Sequence, residues 1–181
     1  DRMFSTKENQ IRCLEKHLVL AEKWNKPLFL HERNASEDFI KRFKKHPELC
    51  KRSVVHCFTG DKETLHKYLS MGFYIGITGW ICDDRRSKEL REAVEIIPLD
   101  RILIETDAPY LTPKNVKGLG RTNVPQNIVY VAKELAKYRK VSEEELIGEY
   151  RATRNNYSLP IGITYEEVKP FYLDFAHLGA L

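Results

Sequence analysis

Three short apolar stretches, each followed by side chains that can bind a metal ion, constrain this chain more than any other feature. The stretches read PLFLHER, SVVHCFTG and RILIETDAPYL, and the polar residues that follow their apolar residues include His31, His56, Glu105 and Asp107. Parallel α/β proteins build their active sites at the carboxyl ends of strands. The pattern therefore predicts one site assembled from strands that are far apart in the sequence.

Helix patterns alternate with these stretches, and no low-complexity linker divides the chain. The first helix pattern begins near Ser5, whose S-x-x-E spacing to Glu8 is typical of a capping box. Further helix patterns cover 36–44, 62–71, 87–97, 128–137 and 142–150, and a fourth strand covers 73–77. Four strands that alternate with helices predict four successive βα units, which is half of a (β/α)8 barrel.

Length, charge and cysteine content limit the class of protein. The 181 residues, 42% of them apolar, can bury one sizeable core, but a complete barrel needs roughly 200 or more. A net charge of +4 permits a nucleic acid partner without arguing for one. The 4 cysteines form no CxxC pair, no signal peptide is recognisable, and the apolar runs are too short to cross a bilayer. We therefore expect a cytoplasmic protein with free thiols and no membrane partner.

His31, His56 and Asp107 have the chemistry of a metal site, because imidazoles and carboxylates that converge on one point bind a divalent ion. Each residue alone has a more ordinary explanation: a hydrogen-bonded histidine, or a turn-forming aspartate before Ala-Pro. Their shared position at strand ends favours the metal site. Glu105 is either a partner of that site or an acid of the barrel interior, and Cys57 is expected to be a small buried neighbour of His56.

Loops after the predicted strands carry a basic rim with one large aromatic side chain. Its members are Arg33, Lys62, Trp80, Arg85, Arg86, Lys114, Lys117 and Arg121. The rim suits a phosphodiester, since cations attract phosphates and an indole ring stacks on bases; a solvated surface with a packing tryptophan explains it equally well. The substrate-binding candidates are Arg33, Trp80, Arg85, Arg86 and Arg121. Asp107 is the catalytic candidate, which would orient or deprotonate the water that attacks phosphorus.

Three segments resemble the TatD family of metal-dependent deoxyribonucleases, which belong to the amidohydrolase-type barrels. They are LHERNASEDF, VVHCFTGDKETLHKYLSMGFYIGITGWICDDRRSKELRE and IPLDRILIETDAPYLTP, and the resemblance runs over residues 1–157. It implies a (β/α)8 TIM barrel with a divalent metal, Mg²⁺ with Mn²⁺ or Zn²⁺ as alternatives. It also implies a 3′-5′ exonuclease that acts on DNA, with RNA as an alternative substrate. By position, His31 and His56 match the family's two strand-end metal histidines, and Asp107 matches its metal-site aspartate.

The sequence also departs from the family pattern. Family members carry an H-x-H strand and a G-E-x-G-L-D strand, and this chain matches only the part that follows them. We therefore expect the C-terminal half of the barrel over 1–160, with weak metal binding and self-association through open sheet edges. Residues 161–181 are an unassigned tail whose apolar side chains would cover such an edge. Two alternatives stay open: a metal-dependent amide or cyclic-imide hydrolase on the same barrel, and an inactive half-barrel fragment.

Overall fold

A sheet of 4 parallel strands in the order β1-β2-β3-β4 forms the centre of the computed structural model, which describes residues 4–146. The strands are β1 Phe29–His31, β2 Val54–His56, β3 Tyr74–Ile77 and β4 Ile102–Ile104. Strands that are consecutive in the chain are neighbours in the sheet, so each parallel pair is joined by a crossover that contains helix. This arrangement confirms the predicted α/β architecture of successive βα units.

The helices that were predicted begin and end within a few residues of their expected positions. The helices are α1 Lys7–Lys23, α2 Ser36–Phe43, α3 Pro47–Cys50, α4 Lys62–Ser70, α5 Lys88–Ala93 and α6 Ile128–Arg139. Short 3₁₀ helices cover Gly79–Cys82, Val94–Ile96, Leu99–Arg101 and Pro125–Asn127. The pattern over 142–150 lies only partly among the described residues, and the tail over 161–181 lies outside them.

Two local features differ from the prediction. Helix α1 is capped by Thr6, whose hydroxyl accepts a hydrogen bond from the Asn9 N–H at 3.3 Å, and not by Ser5. Serine and threonine both cap helices, so two adjacent candidates could not be separated by spacing alone. The short helix α3 was missed, although Pro47 at its first position is a common helix start. Neither difference moves a strand.

A cluster of aromatic side chains joins the helices to one face of the sheet. Phe39 and Phe43 of α2 pack with Tyr68 of α4 and with Phe73, and the ring centroids are 4.5 to 6.0 Å apart. All four are buried in one core with the isoleucines of β3. Burying a large apolar side chain stabilises a fold by about 1.5–3 kcal/mol. This layer holds the strands in register, and the register decides which side chains meet at their ends.

The other face of the sheet is open near β1. The apolar ring of Phe29 is 56% exposed, although Leu30 beside it is buried on the helix-covered face. The Phe29 ring contacts the His56 ring, with centroids 4.6 Å apart. In the described part of the chain β1 has a strand neighbour on one side only, which leaves an unpaired edge. No helix within residues 4–146 combines the length and apolar character needed to cross a membrane.

Candidate metal centre

The strand register places His31, His56 and Asp107 at one end of the sheet. His31 and His56 are direct partners in the parallel register of β1 and β2, and their ring centroids are 6.0 Å apart. Asp107 follows β4, and its Oδ1 lies 3.3 Å from Nε2 of His56. The carboxyl ends of parallel strands meet at one sheet edge, so the geometry is the one expected of strand-end ligands. The structure places all three predicted candidates at this edge, and the ligand atoms of His56 and Asp107 lie 3.3 Å apart.

Glu105 is hydrogen-bonded to His56. Nδ1 of His56 donates to Glu105 Oε2 at 2.8 Å, and the backbone N–H of Cys57 donates to the same oxygen at 3.1 Å. A carboxylate that accepts from Nδ1 keeps the proton on that nitrogen and leaves the Nε2 lone pair for a metal or another partner. Two roles were considered for Glu105, a partner of the metal site and an acid of the barrel interior. The geometry favours the partner of the metal site, although the side chain also lies over the face of the sheet at Gly76.

The Glu105 carboxylate crosses β3 to reach β2, and Gly76 makes the crossing possible. A Cβ atom at Gly76 would collide with the carboxylate. Glycine weakens a strand interior, because it has no side chain to pack and loses more backbone entropy than other residues. Its place in β3 is explained by the room that Glu105 needs.

The hydrogen bond that His56 donates to Glu105 raises the pKa of His56. The negative charges of Glu105 and Asp107 raise this pKa further, whereas burial of the ring lowers it. A histidine whose folded-state pKa is raised stabilises the fold below its unfolded pKa, and this contribution is lost as pH rises through the folded pKa. With a chelator present, we expect the free energy of unfolding to fall as pH rises above about 6.5. Glu105→Gln should remove most of that slope.

Urea denaturation at a series of pH values measures this slope. Glu63→Gln is the matched control, because Glu63 pairs with Lys67 on exposed α4 and does not contact His56. Equal slopes in the Glu105→Gln and Glu63→Gln variants would show that the Glu105–His56 pair does not control the titration.

A buried asparagine fixes the loop that carries Asp107. The side-chain amide of Asn123 donates to the carbonyl oxygens of Thr106 at 2.9 Å and Tyr110 at 2.7 Å. The Tyr110 N–H donates to the Asp107 carbonyl at 2.8 Å. Asp107 itself has φ of 58°, a left-handed conformation that aspartate tolerates better than most residues. The backbone therefore holds the carboxylate in place. No motif in the sequence marks Asn123 as part of this loop.

Cys57 is part of the same group of donors. His56, Cys57 and Asp107 each offer a ligand atom, and these atoms lie within 4.8 Å of one another; His31 is not in this group. The Cys57 sulfur lies 3.2 Å from Thr78 Oγ1, and burial raises the pKa of the thiol to about 11. Cys57 is buried, as expected, but it also lines the cavity beside the centre.

A cavity of about 1010 Å³ adjoins the centre. Its walls include the potential ligands His31, Cys57 and Asp107 and the cationic side chains Lys7, Arg33, Arg42 and Arg86. Clustered cations raise the local concentration of anionic ligands. The acids Glu32 and Asp38 also line the cavity. Ion pairs join Lys7 to Asp38, Arg42 to Glu15 and Arg86 to Asp83. The cavity therefore combines metal-type donors with side chains of both charges.

The predicted substrate-binding residues divide into two sets: Arg33, Trp80 and Arg86 line the cavity, whereas Arg85 and Arg121 do not. Arg85 turns to the Asp83 carboxylate, to which it donates hydrogen bonds of 3.0 and 2.8 Å. Arg86 also pairs with Asp83 and lies over the Trp80 ring, 4.1 Å from its centroid. One face of the indole is thus already covered by a guanidinium.

Tyr110 is an aromatic residue of this cavity that the sequence analysis did not select. Its side chain is 71% exposed and lines the cavity three residues after Asp107. Its backbone is held on both sides by the bonds from Asn123 and to Asp107. The exposed ring on a fixed backbone offers a stacking surface beside the centre.

Parallel βα units with histidines and acids at the strand ends are typical of metal-dependent hydrolases built on the (β/α)8 barrel. Within that class, the chain belongs to the TatD family: the family model described as TatD related DNase matches residues 1–158. Both the predicted family and the predicted fold class are confirmed, with part of the barrel covered.

Similar proteins extend over the same region. The chain is 43% identical over 141 residues to a 3′-5′ ssDNA/RNA exonuclease TatD of Escherichia fergusonii, covering 77% of this chain and 54% of the relative. It is 43% identical over 148 residues to the protein of that name in Erwinia amylovora, covering 81% and 57%. A crystal structure of a TatD homologue from Escherichia coli aligns with a TM-score of 0.72 and 29% identity over 81% of this chain and 55% of that one. The chain spans about half the length of these relatives.

Proposed function

We propose that the chain forms part of a divalent-metal-dependent nuclease that removes nucleotides from the 3′ ends of single-stranded DNA, with RNA as a second substrate. The observation that carries the proposal is the His56–Asp107 pair, whose donor atoms are 3.3 Å apart, beside a cavity whose wall includes Arg33 and Arg86. The curated relatives bear the name of such an exonuclease, which supports the same activity.

His31, His56 and Asp107 would hold the metal. The fit rests on the donor set: His56 Nε2 and Asp107 Oδ1 are 3.3 Å apart, and Glu105 keeps the proton of His56 on the other ring nitrogen. When bound, a divalent ion would polarise the phosphoryl oxygen and make a water molecule more acidic. We propose Mg²⁺, as the family resemblance implies; two imidazoles also suit Mn²⁺ or Zn²⁺.

The side chains of the chain would divide the remaining work. Asp107 would orient the attacking water and accept its proton, because its carboxylate faces the cavity on a fixed loop. Arg33 and Arg86 would bind phosphate oxygens from the cavity wall. Tyr110 would stack on an unpaired base, since its exposed ring lies at the same wall and a base inside a duplex has no free face.

Digestion of end-labelled oligonucleotides tests this proposal directly. With added Mg²⁺ or Mn²⁺, a single-stranded DNA should shorten from its 3′ end, and EDTA should stop the reaction. The rival amide hydrolase predicts turnover of amides or cyclic imides and none of the oligonucleotide. The cavity of about 1010 Å³ favours the nuclease, because small neutral amides need a small closed pocket. No hydrolysis of either substrate class by the chain would instead support the inactive fragment.

Replacing Tyr110 by alanine should weaken binding of single-stranded DNA by about 5- to 150-fold, since stacking on one base contributes about 1–3 kcal/mol. Tyr110→Phe keeps the ring and should bind like the unaltered chain. Trp24→Ala is the control, because Trp24 is also exposed but does not line the cavity. Fluorescence anisotropy with a labelled oligonucleotide measures the affinities. Equal affinity in Tyr110→Ala and Trp24→Ala would exclude the stacking role.

Three broader points belong to the same proposal. A single unit over residues 1–160 is supported by the family match to 1–158, and a cytoplasmic location is supported by 4 free cysteines.

Self-association is supported by the exposed Phe29 on the unpaired edge of β1. We expect sedimentation velocity to give a concentration-dependent oligomer that Phe29→Ser weakens. A monomer at every concentration would contradict this point.

A further inference from the structure

We propose that Cys57 gives this centre a second mode of metal binding. In this mode His56, Cys57 and Asp107 capture a thiophilic cation such as Zn²⁺ or Cd²⁺ in competition with the hard divalent ion of the nuclease. The inference rests on the metal centre of the proposed function. It assigns that centre a thiolate ligand, which would bind soft metals more tightly than the histidines and the aspartate alone.

The donor atoms are close to the spacing that one ion requires. Typical zinc–sulfur and zinc–nitrogen bonds of about 2.3 and 2.0 Å place two tetrahedral ligand atoms about 3.3 to 3.5 Å apart. The His56 and Asp107 donors are already 3.3 Å apart, and the sulfur lies within 4.8 Å of both partners' ligand atoms. The Cys57 sulfur would have to move closer to the other two donor atoms to complete the set, and Cys57 lines the cavity.

The hydrogen bonds around the sulfur suit a metal-bound thiolate. Thr78 Oγ1 accepts a hydrogen bond from the backbone N–H of Trp80. The hydroxyl proton of Thr78 is therefore available for the Cys57 sulfur, which lies 3.2 Å away. On binding, the Cys57 S–H bond breaks, the proton leaves to solvent, and the sulfur lone pair forms the bond to the metal without oxidation or reduction.

Two classes of metal ion differ in their affinity for a sulfur ligand. Mg²⁺ takes oxygen ligands and gains nothing from a thiolate, whereas Zn²⁺ and Cd²⁺ bind sulfur strongly. The other thiols have different surroundings. Cys50 and Cys82 are buried and donate to backbone carbonyls, and Cys13 is exposed on α1. Cys57 is therefore the thiol through which soft metals should act on the centre.

A titration of the full chain with Co²⁺, followed by absorption spectroscopy, tests the inference. Co²⁺ bound through a thiolate gives an intense sulfur-to-metal charge-transfer band, which nitrogen and oxygen ligands do not. We expect the band in the unaltered chain and in the controls Cys82→Ser and Cys13→Ser, and its loss in Cys57→Ser and Cys57→Ala. Competition by Zn²⁺ should show an affinity about 10-fold or more lower in the Cys57 variants, with Mn²⁺ affinity changed less than about 2-fold.

Co²⁺ binding without the band, or a band that persists in both Cys57 variants, would overturn the inference and leave the metal centre standing. A different result would show that the proposed metal centre itself is wrong. In that case Mn²⁺ would bind Asp107→Asn as tightly as it binds the unaltered chain. Absence of the band in the unaltered chain decides the question without any variant. If the band is present, the Cys57 and Cys13 variants assign it, because the Cys13 sulfur lies 3.6 Å from Nδ1 of His17 and is a second thiol beside an imidazole.

Discussion

Asp107→Asn should lower metal-dependent hydrolysis of a single-stranded oligonucleotide by about 10²- to 10⁴-fold, the usual range for removing a positioned general base. Asparagine keeps the shape of the side chain but loses the negative charge that faces His56 Nε2 at 3.3 Å. It therefore removes both the proton acceptor and one anionic ligand. We expect the fold to be retained, because Asn123 holds this loop through backbone carbonyls.

Asp100→Asn is the matched control, since Asp100 is an exposed aspartate whose ion pair with Arg101 is long, at 3.8 Å. Its turnover should equal that of the unaltered chain. Circular dichroism checks that both variants are folded, and Mn²⁺ titration separates loss of metal from loss of the base. Near-normal hydrolysis by Asp107→Asn would exclude the catalytic role.

Gly76→Ala should disrupt the contact between Glu105 and His56. The new Cβ would occupy the space of the Glu105 carboxylate, which would then have to leave His56. Overpacking a core costs about 1–3 kcal/mol of unfolding free energy. Because the displaced acid also releases the His56 ring, we expect metal affinity to fall together with stability.

Gly120→Ala adds the same methyl group where no heavy atom lies within 4 Å. We expect its free energy of unfolding to stay within about 0.5 kcal/mol of the unaltered chain, as is usual at exposed sites. Denaturant titration gives the stabilities and isothermal calorimetry gives the metal affinities. If Gly76→Ala were as stable and bound metal as tightly as Gly120→Ala, the crossing of β3 by Glu105 would not be needed for the centre.

The strands and the three strand-end candidates could be predicted because both depend on local pattern. An apolar run before His31, His56 or Asp107 marks the strand and its direction, and parallel pairing then brings the ends together. The contacts of Glu105 could not be predicted, because its carboxylate lies over Gly76, a residue that the register of β3 and β4 pairs with Leu103. A sequence pattern contains no information about which side chain crosses a strand.

The contacts of the basic rim were predicted less well, because the partners of a long side chain depend on its orientation, which the sequence does not show. Arg85 and Arg86 are adjacent in the sequence and both pair with Asp83, yet only Arg86 also reaches the cavity wall. Tyr110 was not among the predicted substrate-binding residues, because the sequence does not show which aromatic rings are exposed. Its exposure beside the cavity became evident only with the loop conformation.

The path of Glu105 over Gly76 joins two strands that are not neighbours. Its carboxylate accepts a hydrogen bond from the backbone N–H of Cys57, so the end of β2 is tied to the end of β4. The two ends should therefore open as one unit, and the exchange of the Cys57 amide hydrogen with solvent should report on β4 as well as on its own strand. A single amide could thus record, without any activity assay, when the centre comes apart.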